Sequence, residues 1–132
     1  MGENRQAIED RVNIRPLIEG INAIENKSIE ENFQNKTLRP IIKMQHELLI
    51  AYFTEYTLMK KCHFKELTEP NKLSFIRTAF LKDNAFKTEL KGIVIGHFTV
   101  NEYLIFKAHK KDYNKRILNM IQQRLVSVLE LL

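Results

Sequence analysis

The sequence lacks the features that would place it in a membrane or in a secretory pathway. No apolar run approaches the roughly 18 residues that a membrane-spanning helix needs, and the N-terminal MGENRQAIEDR contains no apolar signal-peptide core. The one cysteine, Cys62, cannot form an internal disulfide, which agrees with a reducing compartment. These absences predict a cytoplasmic protein that makes no use of a membrane.

Sequence motifs typical of metal-binding, phosphate-binding or catalytic sites are also missing. None of the four histidines follows a carboxylate by three or four residues, as helical di-iron sites require. No G-x-x-x-x-G-K loop is present to hold phosphates, and Cys62 and His63 are adjacent, so on a helix they point about 100° apart. The sequence therefore predicts no catalytic residue, no metal and no cofactor, and it favours a protein that is not an enzyme.

Length and composition indicate one folded domain. The chain has 132 residues, of which 44% are apolar and 28% charged, as in ordinary globular proteins. Its net charge of +5 is uneven, because residues 1–59 carry seven Lys or Arg against nine Asp or Glu, whereas residues 60–132 carry 14 against seven. Such asymmetry can reflect an anionic partner or a contact between unlike halves of two copies.

The stretch from Pro40 to Cys62 has no internal glycine or proline and predicts the central helix of a bundle. At about 1.5 Å per residue it would extend roughly 34 Å. Its apolar residues recur at helical spacing, and the face is wide enough to require cover on more than one side. The main row is Ile41, Met44, Leu48, Tyr52, Tyr56 and Met59, and Ile42, Leu49 and Phe53 widen it.

Capping patterns and periodicity place further helices around this one. A first helical segment over residues 3–25 is expected to break or kink at Pro16, and the Ser28–Glu31 capping box begins a short helix to about Lys36. Later starts are expected at Thr68, at Asp83 and at the Thr99–Glu102 capping box, and the last helix spans about residues 113–131. The expected inward residues are Leu73, Ile76, Phe80 and Leu81, then Phe86, Leu90, Ile93, Val94 and His97, and finally Ile117, Ile121, Leu125, Val128 and Leu132.

The segment GIVIG, residues 92–96, is the one ambiguous element, because β-branched residues between glycines also suit a short strand. Only residues 104–106 could pair with such a strand, so helix is favoured. The fold class predicted for residues 1–132 is therefore all-α, a single-domain bundle of about five to seven helices.

Two stretches, FQNKTLRPIIKMQ at residues 33–45 and LKGIVIGHFTVNEY at residues 90–103, resemble a family of small uncharacterised bacterial proteins, some of which carry an automatic glyoxalase label. The resemblance extends from about residue 28 to the C-terminus. It implies an all-helical fold and brings no assigned catalytic residues. Glyoxalase-type enzymes use strand-rich modules that present His, Gln and Glu to a divalent metal, and this pattern lacks those strands, so the label is rejected.

Several polar residues fall on apolar helix faces, where packing alone would not place them. Gln45 and Glu55 lie within the apolar arc of the central helix, and Arg124 and His97 do so in later helices. Burial without partners is costly, so we expect Glu55 to pair with Arg124 inside the bundle. Should these residues instead line a small-molecule pocket, its candidate members are Gln45, Tyr52, Glu55, His97, Tyr103 and Arg124.

A basic patch near the start of the last helix consists of Lys107, Lys110, Lys111, Lys115 and Arg116. It could neutralise several phosphates, but only Tyr113 is interleaved as a stacking platform, so nucleic-acid binding is the third and least favoured function. The favoured function is a small interaction module that forms a homo-oligomer, in the simplest case a dimer. Binding of a small molecule is the alternative, and no membrane partner is expected.

Overall fold

The computed structural model describes residues 4–17 and 28–132, and every regular element in these two ranges is helical. The α-helices are α1 (Arg5–Asn13), α2 (Ile29–Phe33), α3 (Arg39–Met44), α4 (His46–Met59), α5 (Glu69–Lys82), α6 (Asn84–Ile95), α7 (Val100–Ala108) and α8 (Lys110–Ser127). A π-helical turn, Gln34–Leu38, joins α2 to α3 without a break, and 3₁₀ turns occupy Phe64–Glu66 and Leu129–Leu131. Counting that joined segment once, the described residues form seven helices, which confirms the predicted all-α bundle.

The first helix ends before Pro16, where the sequence predicted a break or a kink. Asn4 caps α1 by accepting hydrogen bonds from the backbone N–H groups of Gln6 and Ala7, and the helix stops at Asn13. Proline removes a backbone donor and crowds the preceding turn, so the stop before Pro16 has a local cause. The predicted continuation of this helix to Glu25 lies outside the described residues.

The expected stop near Lys36 is wrong, because the helix that Ser28 caps continues through residues 34–38 into α3. The π-helical turn explains how the chain passes Pro40. A proline ring would collide with the carbonyl four residues earlier, which here belongs to Lys36, and the wider π turn relieves that crowding.

The predicted central helix is interrupted once, at Gln45. This residue has φ −92° and ψ 14°, so α3 ends at Met44 and α4 begins at His46, although backbone hydrogen bonds continue on both sides. Neither glycine nor proline lies here. The Gln45 side chain instead contacts His97, so a tertiary contact accompanies the break.

Three of the predicted helix starts are confirmed by their capping bonds. Thr68 accepts from the Asn71 N–H and Asp83 from the Phe86 N–H. Thr99 and Glu102 form both halves of a capping box. The GIVIG segment belongs to α6 and its cap at Gly96, so the favoured helical assignment is confirmed.

The core gathers around α8, which contacts α3, α4, α5, α6 and α7. Ile117, Ile121 and Leu125 of α8 are fully buried as predicted. On α4 the buried row is Leu49, Phe53 and Thr57, whereas Leu48 and Met59 of the predicted main row are 48% and 73% exposed.

The predicted row is right only in part: Ile41 is buried and Tyr52 and Tyr56 pack half-buried against the core, but Leu48 and Met59 face outward. Residues adjacent in a helix differ by about 100° in direction, so neighbours in one apolar arc can face opposite ways. The pattern contained two apolar rows, and the sequence does not state which one meets α8. Leu81 on α5 is also exposed, contrary to prediction, since Ala79 and Phe80 take the inward positions.

The C-terminus of α4 is closed by hydrogen bonds from the N–H of Cys62 to the carbonyl of Thr57 and from the N–H of Lys61 to that of Leu58. This is a Schellman arrangement, in which the residue at Lys61 must adopt a left-handed conformation. Lys61 has φ 54°, the one positive φ among the described non-glycine residues. A side chain makes this conformation unfavourable, and glycine does not incur that cost.

Replacing Lys61 by glycine is therefore expected to raise the free energy of unfolding, by about 0.5–1 kcal/mol. Urea denaturation monitored by circular dichroism measures this change. Lys115→Gly, at an exposed position inside α8, is the matched control and should instead lower stability by about 1 kcal/mol. Destabilisation by both changes would contradict the assigned backbone conformation.

Candidate functional sites

A buried ion pair joins the first segment of the chain to α7. The two terminal nitrogens of Arg15 donate to the two carboxylate oxygens of Glu102 at 2.6 and 2.9 Å. The side chains are only 4% and 15% exposed. Arg15 Nη2 also donates to the backbone carbonyl of His97 at 2.7 Å, so one guanidinium holds both a carboxylate and a loop carbonyl. This two-pronged geometry is the strong form of an arginine–carboxylate contact.

Glu102 accepts two more hydrogen bonds beside those from Arg15. The Thr37 hydroxyl donates to Oε2 at 3.0 Å, and the Thr99 backbone N–H donates to Oε1 at 2.9 Å as half of the capping box. Burial raises the pKa of Glu102, but the bond from Arg15 and the two further donors outweigh it and hold the pKa below its ordinary value. The carboxylate is therefore charged and occupied, as expected of a structural centre.

The sequence identified Glu102 only as a helix cap and did not identify Arg15 or Thr37. Arg15 and Glu102 are 87 positions apart, and no local pattern connects them. Arg15 Nε is buried without a hydrogen-bond partner among the described residues, which is the one unsatisfied group of the cluster.

Two of the six predicted pocket residues meet beside this cluster. Gln45 Nε2 and His97 Nε2 contact each other where the α3–α4 break faces the end of α6. Burial lowers the pKa of His97, and the nearby charges of Arg15 and Arg11 lower it further. A neutral ring can accept from the Gln45 amide, so the contact favours the uncharged imidazole.

The structure does not pair Glu55 with Arg124, which was the expected core ion pair. Arg124 Nη1 lies 3.3 Å from Nδ1 of His46, the first residue of α4. Arg124 also lines a depression of about 290 Å³ between α3 and α8. Glu55 is exposed and lines a different depression, so the two side chains serve separate surfaces.

That second depression, of about 230 Å³, contains the predicted residues Tyr52 and Glu55. In its wall, Asp83 Oδ2 accepts a hydrogen bond from the Tyr56 hydroxyl at 2.7 Å and lies 3.5 Å from Lys60 Nζ. Burial and a hydrogen bond to Glu89 raise the pKa of Tyr52. Both tyrosines are thus neutral donors to carboxylates.

The remaining predicted residues lie at the surface. Tyr103 is exposed on α7. Of the basic patch, Arg116 donates to Gln34 Oε1 at 2.6 Å. Lys107, Lys110, Lys111 and Lys115 are exposed around the α7–α8 junction, as a phosphate-facing patch or an ordinary solvated face would be.

Cys62 and His63 line a mainly apolar depression of about 250 Å³ together with Phe53, Phe64 and Leu132. Cys62 is half-buried and His63 exposed. Among the described residues, no three His, Cys, Asp or Glu side chains are grouped so that they could hold a metal ion. No helix in residues 4–17 and 28–132 is long and apolar enough to cross a membrane.

No family model, no curated protein and no solved structure matches this chain. The resemblance to a bacterial family stays a prediction.

Glu102→Gln is expected to lower the free energy of unfolding by about 3 kcal/mol, because it leaves the Arg15 guanidinium buried without a counter-charge. Adding Arg15→Met should recover part of this loss, since removal of both charges eliminates the unpaired one. Urea denaturation of the single and double variants gives the comparison. Glu130→Gln, at an exposed position, is the control and should change stability by less than about 0.5 kcal/mol.

The same cluster predicts that the free energy of unfolding decreases in two steps as the pH is lowered. His97 has a folded-state pKa below its ordinary 6.5, so the unfolded chain binds more protons as the pH falls below 6.5. Glu102 has a folded-state pKa below its ordinary 4.5 and adds a second loss below that pH. The free energy of unfolding should therefore decrease as the pH is lowered through both values. In His97→Gln the first decrease, below pH 6.5, should be absent. His63→Gln, at an exposed ring, should retain that step, and its loss there would contradict the assignment to His97.

Proposed function

We propose that this chain is a cytoplasmic, non-enzymatic interaction module that forms a homodimer through the outward face of α4. The observation that supports the proposal is that α4 has apolar residues on both its inner and its outer side. One apolar row packs in the core, while a second row, which we call the outer row, is exposed and consists of Leu48, Ala51, Leu58 and Met59, with the exposed Glu55 between Ala51 and Met59. A helix that is apolar around most of its circumference is typical of helices covered on all sides.

The charges at the ends of α4 favour a second copy as the cover. Glu47 lies in the first turn, whereas Lys60 and Lys61 follow the last residue of the helix. When two such helices pack antiparallel across a two-fold axis, the Glu47 end of each lies beside the lysine end of the other. A two-fold contact uses the same patch on both subunits, so this arrangement needs no other surface.

The alternative, small-molecule binding, retains support from two surface depressions, one lined by Arg124 and the other by Tyr52 and Glu55. The third function, nucleic-acid binding, is supported only by the exposed lysines of the basic patch, and it would show an affinity that falls steeply with salt.

The dimer is tested by sedimentation equilibrium of the wild-type chain and of three single variants. We expect the wild type at twice its 15.6 kDa and Leu48→Lys and Leu58→Lys at 15.6 kDa, because a charge in the outer row cannot be desolvated without cost. Leu81→Lys, at an equally exposed leucine on α5, should remain dimeric. A wild type that is monomeric throughout, or a dimer that both outer-row changes leave intact, would contradict the proposal.

A further inference from the structure

The depression between α3 and α8 differs from the others in the charge of its wall. The described residues that line it are Arg39, Ile42, Met120, Gln123, Arg124 and Ser127, and none of these is acidic. Two guanidinium groups and one carboxamide are its strongest donors. The Ser127 hydroxyl donates to the backbone carbonyl of Arg124 at 2.6 Å and so belongs to the helix end rather than to the cavity.

Arg124 is a half-buried cation that has no counter-charge within residues 4–17 and 28–132. Its one hydrogen-bond contact is to Nδ1 of His46 at 3.3 Å, and no carboxylate among the described residues pairs with it. Because arginine only donates, Nδ1 of His46 is the acceptor in this contact. Burial lowers the pKa of the Arg124 guanidinium, as expected when solvent is removed and nothing negative replaces it.

Arg39 brings a second guanidinium to the same wall. Its Nε donates to Asn35 Oδ1 at 3.2 Å, one turn earlier in the joined helix. This bond fixes the stem of the side chain, while its two terminal NH₂ groups have no partner in the part of the chain that the structure describes. Arg39 and Arg124 therefore both line the cavity, and no carboxylate of the described ranges neutralises either one.

We propose that this depression binds a small molecule through an oxyanion, a phosphate or carboxylate group, which Arg39 and Arg124 hold and to which the Gln123 amide donates. Guanidinium groups match the geometry of both oxyanions and form their strongest hydrogen bonds with them. A volume of about 290 Å³ suits a small molecule. None of the four outer-row residues lines this cavity, so the oxyanion site and the proposed dimer can be tested independently.

The test is calorimetric titration of the purified full-length chain with inorganic phosphate and with succinate, with sodium chloride of equal ionic strength as the reference. The wild type should bind at least one of the two oxyanions, and the anion that binds identifies the group. Arg39→Gln and Arg124→Gln should each weaken binding by about tenfold or more, because each removes a charge-assisted contact. Arg77→Gln, which removes one exposed arginine from α5, should leave the affinity unchanged within about twofold.

Arg124→Lys is the conservative variant, because it keeps the positive charge and removes only the planar guanidinium group. It should also weaken binding, and it distinguishes the loss of the guanidinium contact from a loss of folding. Circular dichroism verifies that each variant is folded. The proposal is overturned if neither oxyanion binds more strongly than chloride, or if Arg77→Gln weakens binding as much as the two cavity variants do.

A single-stranded oligonucleotide provides the last arm of the experiment. Phosphate in a nucleic acid would be bound through the exposed lysines, so its affinity would fall in Lys110→Gln and Lys111→Gln and not in Arg124→Gln. Binding of the oligonucleotide without binding of free phosphate or succinate would also overturn the small-molecule site.

Discussion

The contact on which the rest of this structure depends is the bidentate ion pair between Arg15 and Glu102. Taking both charges out of water is unfavourable, and the cost is offset only where every lone pair finds a donor. Four bonds achieve this at Glu102, from the two Arg15 nitrogens, the Thr37 hydroxyl and the Thr99 N–H. The carboxylate thereby connects the first segment, the π-helical turn and the start of α7.

The first helix needs such a connection because α1 has no buried residue. Its attachment rests on polar contacts, of which Arg15 supplies the buried ones and Arg11 Nη1 a longer one to the Phe98 carbonyl at 3.4 Å. The loop that carries His97 and Phe98 is thus held from one side by arginines and from the other by Gln45. A charged His97 would weaken this arrangement, since two arginines already face it.

The features that the sequence could predict were local ones. Caps at Thr68, Asp83 and Thr99 need only residues within one turn, and the helical identity of GIVIG follows from the lack of a partner strand. The face of α4 was predicted too broadly, because its apolar arc includes Leu48 and Met59 as well as Leu49 and Phe53, and only the position of the neighbouring helices decides which pair is inside. The expected Glu55–Arg124 pair failed for the same reason, since sharing an apolar arc does not give two residues the same neighbour.

The charged groups of this bundle are of two kinds, those paired within the protein and those without a counter-charge among the described residues. This difference indicates where a ligand is expected to bind. Around Glu102 the chain satisfies its own charges, so this centre has little capacity for a ligand and acts as a structural clamp. Arg39 and Arg124 have hydrogen bonds to neutral groups but no counter-charge among the described residues, and the outer row of α4 has no apolar cover there. Binding is therefore expected at the surface of the bundle rather than in its interior.

The most direct test of this account is an NMR titration of the Glu102 carboxyl carbon in the folded protein. The clamp requires the carboxylate to remain charged at pH values where an ordinary glutamate has taken up its proton, so its midpoint should lie below 4.5. Replacement of Arg15 by methionine should raise that midpoint. A wild-type midpoint at or above 4.5 would show that burial outweighs the donors, and the ion pair would then not be the contact that holds the first segment in place.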